Sequence, residues 1–158
     1  MKKLIVLSML LVFSQLSFSQ TGALDKFMGR YKGKDGVMKM SFNGSFDFGS
    51  DDNLKNFNFK SAKSKIKGVR LFILDEKANV QNADFQSLVS DMKRAHFEDL
   101  VTVRKGGDRV YFMGRETGNG YTDVTFLTKS TKGSAFLMSL EGFFSKHDVE
   151  KMTHGSSE

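Results

Sequence analysis

Two stretches of the chain repeat apolar residues with the spacing of an amphipathic α-helix. Each follows the i, i+3, i+4, i+7 pattern that places side chains on one helical face. The two sets are Leu24, Phe27, Met28 and Tyr31, and then Phe85, Leu88, Val89 and Met92. The spacing predicts a helix over residues 23–32, ended by Gly33, and a second helix that is capped at its N-terminus by Asn82 or Asp84.

Other stretches alternate apolar and polar residues, which is typical of strands. Residues 37–42 and 69–74 predict two strands. After Phe97 the period becomes two, and turn-forming glycines separate the segments 100–105, 109–115, 121–129 and 135–140. These four segments predict an antiparallel meander. Ser145 then starts a short helix through Met152, with Asp148 as its capping-box partner.

The region between the first two strands allows two interpretations. Phe59, Ala62 and Ile66 have helical spacing, with Gly68 as a stop, and this favours a helix from about Asn58. Alternatively, phenylalanines at 57 and 59 form a strand that pairs with those at 46 and 48. We favour a strand up to residue 48 and a helix from about 58, and residues 49–58 stay open between helix and strand.

The order of these elements predicts the fold class. Helices and strands mix early in the chain, whereas the strands are consecutive later. This order favours an α+β fold, a mostly antiparallel sheet with helices packed on one face and a C-terminal four-strand meander. The chain has 158 residues, of which 16 are Phe, so one domain over residues 20–158 with a Phe-rich core is expected.

Residues 1–19 have the pattern of a cleavable signal peptide. Lys2 and Lys3 precede an apolar run from Leu4 to Phe13, and small residues precede the predicted cleavage between Ser19 and Gln20. An uncleaved N-terminal anchor is the alternative. Removing the leader takes away two lysines and lowers the formal net charge from +6 to +4. We expect a soluble exported protein, periplasmic or secreted, and not a Cys-anchored lipoprotein, because the chain has no cysteine.

The sequence offers no recognisable catalytic, cofactor-binding or metal-binding residues. It has three His and no Cys, and the histidines lack metal-ligand spacing. A Gly-x-Ser-x-Gly elbow and a phosphate-binding glycine loop are both missing. We therefore predict no cofactor and no nucleic-acid partner. Because catalytic acids can be distant in sequence, a hydrolase with dispersed acids and hydroxyls is kept as an alternative.

A cluster of cations is the most suggestive charge feature. Five cations without an intervening acid form what we call the basic stretch: Lys60, Lys63, Lys65, Lys67 and Arg70. Such a stretch is commonly a solvated helix face. It can also bind an anionic surface or an acidic envelope protein. We keep it as a possible surface for an anionic partner.

Several segments, in this order, resemble a known family. They are Leu24–Phe27, Ser64–Leu71, Phe97–Val103, Arg109–Met113 and Phe136–Gly142. Together they resemble the small exported Bacteroidota proteins of domain of unknown function 4252, over about residues 24–142. The resemblance implies residence in the cell envelope and a single small domain, and it brings no assigned activity. Many members look lipid-anchored through an N-terminal Cys, which this chain lacks.

Taken together, the sequence predicts an exported binding or interaction module that is not an enzyme. The reason is that binding needs only a surface, whereas catalysis needs a constellation of groups that is not recognisable here. The dispersed-acid hydrolase is the alternative.

Overall fold

The computed structural model describes residues 20–44 and 64–153, which form three helices and six strands. The predicted leader and tail, the strand predicted at Phe46 and Phe48, and the open region 49–58 lie outside these residues. None of the described helices is both long and apolar enough to span a membrane. The elements in chain order are α1 (Gln20–Tyr31), β1 (Val37–Asn43), β2 (Ile66–Leu74), α2 (Asn82–Arg94), β3 (Phe97–Lys105), β4 (Asp108–Thr117), β5 (Gly120–Lys129), β6 (Ala135–Ser145) and α3 (Lys146–Thr153), with a 3₁₀ turn at Glu76–Ala78.

The six strands form one antiparallel sheet in the order β1-β2-β6-β5-β4-β3. Strands β3 to β6 are consecutive neighbours, so the C-terminal meander is confirmed. Strand β2 pairs with β6, which joins the N-terminal hairpin to the meander. The α+β fold class predicted from the sequence is therefore confirmed.

Helices α1 and α2 cover one face of the sheet, which we call the helix-bearing face. Their predicted apolar stripes are buried there, including Leu24 and Phe85, and they pack with Phe72 and Leu137 of the sheet. The two helices are antiparallel and are joined by hydrogen bonds. Tyr31, for example, donates from its hydroxyl to Asp84 at 2.7 Å. Burial and this bond raise the pKa of Tyr31 to about 12.

The N-terminus of α2 differs from the prediction. The residue before the helix is Gln81, whose side chain makes no capping hydrogen bond. Asp84 instead accepts from the Tyr31 hydroxyl and from Arg30, at 2.6 Å. The hydrogen bond from Tyr31, together with that from Arg30, lowers the pKa of Asp84. A helix-to-helix contact therefore takes the carboxylate that the sequence assigned to a cap.

The third helix lies on the opposite face, so the prediction that all helices pack on one face was wrong for α3. Its Val149 and Met152 pack with Val69, Leu140 and Phe144. The physical reason is that both faces of the central strands are apolar. In β2, for instance, Phe72 belongs to the helix-bearing core, whereas Val69 belongs to the other core. A sheet with two apolar faces needs cover on both.

The prediction of a helix from residue 58, with Gly68 as its stop, is wrong in the part of that region that the structure describes. Ser64 and Lys65 form a 3₁₀ turn, and β2 begins at Ile66. Ile66 pairs with Gly142 of β6 across a bulge before Gly68. Because the Cβ that a side chain would add at Gly142 lies 2.3 Å from the Lys65 carbonyl oxygen, only glycine permits this close approach. Long-range pairing with β6 thus overrides the local helical spacing.

Candidate functional site: an open apolar row beside a cationic sheet end

One row of side chains crosses all six strands on the face that carries α3. Residues directly opposite each other on neighbouring antiparallel strands point to the same side of a sheet. The strand register places six such residues in line, and we call them the open row: Met38, Ile73, Phe136, Thr128, Val110 and Val103. Five of the six are apolar, so the row is an apolar strip perpendicular to the strands.

Three members of the open row are exposed and three are half-buried, whereas most residues of the next row inward are buried. Met38, Ile73 and Val103 are exposed to 54%, 36% and 48%. In the next row inward, Met138 and Phe112 are completely buried. Among the described helices, α3 contributes only its last residue, Thr153, to the lining of this part of the face. The burial of the apolar face therefore stops one row short of the sheet end.

A groove of about 690 Å³ follows the open row. Its apolar lining includes four open-row residues together with Val101 and Phe126, and its polar lining includes Thr128 of the open row with Ser130, Ser134 and Asp75. Six strands at spacings of about 4.8 Å give the row a length of about 24 Å. The groove is thus long, apolar along its length, and polar where the strands end.

A second row, of cations, lies one residue nearer the sheet end. Arg104, Arg109 and Lys129 are directly opposite one another on β3, β4 and β5. Each is the sequence neighbour of an open-row residue, and register assigns the three to the helix-bearing face. Within residues 20–44 and 64–153, none of the three makes an ion pair. We call them the cationic row, and its members Arg109 and Lys129 also line the groove.

Lys129 is the unusual member of the cationic row because it is only 5% exposed. Its ammonium donates to the Ser130 carbonyl at 3.0 Å. Burial, followed by the neighbouring Arg109, lowers the pKa of Lys129, and Asp108 opposes this shift. Asp108 itself accepts from the Thr131 backbone N–H at 2.8 Å. A buried ammonium with a carbonyl as its hydrogen-bond partner favours a nearby anion.

The surrounding loops reinforce this positive charge. Four segments meet at this end of the sheet, namely 32–35, 75–77, 104–109 and 129–132. They carry eight lysines and arginines but four acids. The net charge of these four segments is therefore +4, which equals the net charge expected for the whole chain after leader removal.

The basic stretch does not form one described face. Lys60 and Lys63 lie outside the described residues. Lys65 binds Asp148, Lys67 is exposed at the bulge of β2, and Arg70 lies half-buried beside Glu141. The interpretation of the five cations as an anionic-partner surface stays a prediction.

The contact of Lys65 anchors α3. The Asp148 carboxylate accepts from the Lys65 ammonium at 2.5 Å, and from the Ser145 backbone N–H and hydroxyl at 2.7 and 2.6 Å. The Asp148 N–H donates back to the Ser145 hydroxyl, so the predicted capping box is confirmed. Burial alone would raise the pKa of Asp148, but the bonds from Lys65 and Ser145 outweigh it and lower the pKa to about 2.

A separate polar cluster lies on the helix-bearing face near the other end of the sheet. Arg70 and Arg115 each bury Nε and Nη2 without a hydrogen-bond partner among the described residues. Their nearest acids are Glu141, at 3.4 Å from Arg70 Nε, and Asp123, at 3.8 Å from Arg115 Nη1. Burial raises the pKa of Asp123, and its backbone is left-handed, with φ of 58°. The described residues contain no group of three His, Cys, Asp or Glu able to hold a metal ion.

Comparison with known proteins gives one match. A family model, domain of unknown function (DUF4252), matches residues 31–152. The chain belongs to the DUF4252 family. No curated protein and no solved structure matches it. The family resemblance read from the sequence is therefore confirmed, and the geometry carries the functional argument for this DUF4252 domain.

Sequence reasoning missed both rows of the candidate site in this DUF4252 domain. Their members are scattered over residues 38–136 and become neighbours only through strand register. One signal was available for part of the site. Arg104 and Arg109 are placed symmetrically about Gly106-Gly107, so a tight hairpin there pairs the two arginines.

Proposed function

We propose that this DUF4252 protein is an exported, non-enzymatic binding module. Its ligand is a small amphiphile whose linear apolar chain lies along the open row. The observation that carries the proposal is the row of six side chains across six strands, five of them apolar, with a groove of about 690 Å³ along five of its members. Export is supported by the signal-peptide pattern of residues 1–19.

The shape of the groove favours a chain over a compact ligand. Its volume lies within the range of about 300–1,000 Å³ that small-molecule sites occupy. The groove is lined by residues of five strands, β2 to β6, and its length of about 19 Å, four strand spacings, suits an extended chain that crosses the strands. An apolar chain would remove exposed side chains such as Met38, Ile73 and Val103 from water, and this burial is the main source of affinity.

The charge distribution favours an amphiphile over a purely apolar ligand. The open row is apolar along its length, whereas the adjoining sheet end carries the cationic row and the loop lysines. A ligand with one apolar part and one polar part would be complementary to both. A protein partner or a second copy of the chain is the competing occupant of the same face.

The test uses fluorescence, because the chain contains no Trp. Phe136→Trp introduces a single indole into the groove, and this reporter protein is titrated with dodecanol and with dodecanoate. We expect a saturable emission change with at least one of these 12-carbon probes. Ile73→Asp, added to the reporter, should weaken binding by about tenfold or more, because it places a charge against the apolar chain.

Phe143→Asp is the matched control, since Phe143 is 47% exposed but lies outside the open row. It should leave the titration unchanged. The proposal is wrong if neither probe gives a saturable change. It is also wrong if light scattering shows a ligand-independent dimer that Ile73→Asp dissociates, because a second copy then occupies the row.

A hydrolase is the second candidate function, and one observation favours it. Asp123 is a half-buried carboxylate with a raised pKa beside Arg115, an arrangement found at catalytic sites as well as in structural ion-pair networks. Its test is ester and glycoside turnover by the purified protein and by Asp123→Asn. Turnover that is lost in Asp123→Asn would support the hydrolase and overturn the binding module.

A further inference from the structure

We infer that the ligand of the groove carries a single negative charge on its head group, and that Arg109 and Lys129 bind this head group as a carboxylate. The ligand class is thus a long-chain carboxylate. This inference rests on the proposed function, because it concerns the other end of the same ligand.

The first step is the unfavourable placement of the cations. Like charges directly opposite each other on neighbouring strands destabilise a sheet. Arg104, Arg109 and Lys129 are opposite one another in an unbroken line on β3, β4 and β5. No carboxylate of residues 20–44 or 64–153 lies within ion-pair distance of them. An external anion would relieve the repulsion that the fold leaves in place.

The second step is the burial of Lys129. A charged ammonium that is 5% exposed is costly unless an anion or several acceptors surround it. The Lys129 ammonium donates one hydrogen bond to the Ser130 carbonyl, and this leaves two of its three hydrogens for other acceptors. A carboxylate offers two oxygens, enough to accept from Lys129 and from the Arg109 guanidinium together.

The third step is the position of these cations relative to the apolar chain. Arg109 and Lys129 both line the groove, and they adjoin Val110 and Thr128 of the open row in sequence. The chain of a ligand in the open row therefore begins within one residue of the cations. Register assigns both side chains to the helix-bearing face, and since both residues line the groove on the other face, they reach it around the strand ends where they lie.

The fourth step is the number of charges. The groove is lined by two cations, Arg109 and Lys129, and by two acids, Asp75 and Asp108. Each further negative charge on the head group would also meet these two acids, so a singly charged carboxylate fits the lining better than a dianionic phosphate ester.

The experiment compares three probes with the same 12-carbon chain, dodecanoate, dodecanol and dodecylamine, on the Phe136→Trp reporter protein. At pH 7.5 and low salt, we expect dodecanoate to bind about tenfold tighter than dodecanol, the scale of one charge-assisted hydrogen bond. Dodecylamine should bind most weakly. The advantage of dodecanoate should shrink as ionic strength rises, because salt screens the partly exposed cations.

Variants locate the head group. Arg109→Gln and Lys129→Gln should each reduce the advantage of dodecanoate over dodecanol about fivefold or more, while dodecanol binding stays unchanged. The matched control is Lys132→Gln at the same sheet end, whose side chain is 77% exposed and pairs with Glu76. It should preserve the advantage. The probe and salt comparisons need only the reporter protein, so the inference stays testable if a variant fails to fold.

The outcomes separate the two proposals. If no probe binds, the proposed function fails. If dodecanol and dodecanoate bind equally, or dodecylamine binds best, the apolar groove stands and the carboxylate inference is overturned. If dodecanoate binds best but both variants keep its full advantage, the head group is bound elsewhere and the assignment of Arg109 and Lys129 is wrong.

Discussion

Replacing Asp148 by asparagine tests how α3 is held on the face that carries the groove. The fall of the pKa of Asp148 from its ordinary value of 3.8 to about 2 corresponds to about 2 kcal/mol of folding free energy at neutral pH. Part of this acts through Lys65, whose side chain is 42% exposed, so solvent screening reduces it. We expect Asp148→Asn to lower the free energy of unfolding by about 1–2 kcal/mol at pH 7.

The pH dependence gives the sharper test. Because the folded pKa of Asp148 lies below the unfolded value, its contribution is fully present above about pH 4 and is lost as the pH falls towards 2. The difference between wild type and Asp148→Asn should therefore shrink over that range. Urea unfolding followed by circular dichroism, from pH 7 down to pH 2.5, measures this difference.

The control for this prediction is Asp25→Asn on α1. Asp25 lies 3.7 Å from Lys39, and both side chains are about half exposed. Such a surface pair contributes little, so we expect a change below about 0.5 kcal/mol at every pH. The reasoning is refuted if Asp148→Asn is as stable as wild type at pH 7, or if its deficit is unchanged at pH 2.5.

Four further outcomes are expected. Phe85→Ala should cost about 3–5 kcal/mol in urea unfolding, because Phe85 is completely buried on the face of α2 that packs on the sheet, and a near-zero change would show that this helix is not core. Tyr31→Phe removes a buried hydrogen bond and should cost about 1–2 kcal/mol by the same assay, with no loss if the bond does not form. Gly120→Ala should cost about 1–3 kcal/mol in thermal unfolding, since its new Cβ lies 2.3 Å from the Phe144 carbonyl oxygen, whereas Gly118→Ala meets open space and should be neutral. A variant in which three lysines of the basic stretch are changed to glutamate should lose the salt-dependent adsorption to anionic vesicles. Equal adsorption by this variant and by wild type would contradict the anionic-surface interpretation.

The periodic segments of the fold were predictable from local sequence. The stripe that includes Phe85 specifies its helix because burial of one face dominates it, and the turn glycines after residue 100 separate the strands of the meander. The capping box of Ser145 and Asp148 was also predictable from local sequence, because its two partners are only three residues apart.

Features that depend on distant partners were not predictable in the same way. The start of β2 at Ile66 depends on β6, some 75 residues later, and local helical spacing there pointed elsewhere. The face of the sheet on which α3 packs depends on which face the first two helices leave uncovered. The two rows of the candidate site exist only after all the strand registers are set, so a single sequence shows their members as unrelated residues.

The position of β6 between β2 and β5 has a consequence for biosynthesis. Without β6, the sheet divides into a two-stranded hairpin and a three-stranded piece, and an isolated hairpin is marginal in water. The pairing that unites them, such as Val69 with Leu140, must wait until residue 140 has left the ribosome. A nascent chain of this topology therefore has no complete core until β6 has been synthesised, and the six-stranded sheet can close only after almost the whole chain has been made.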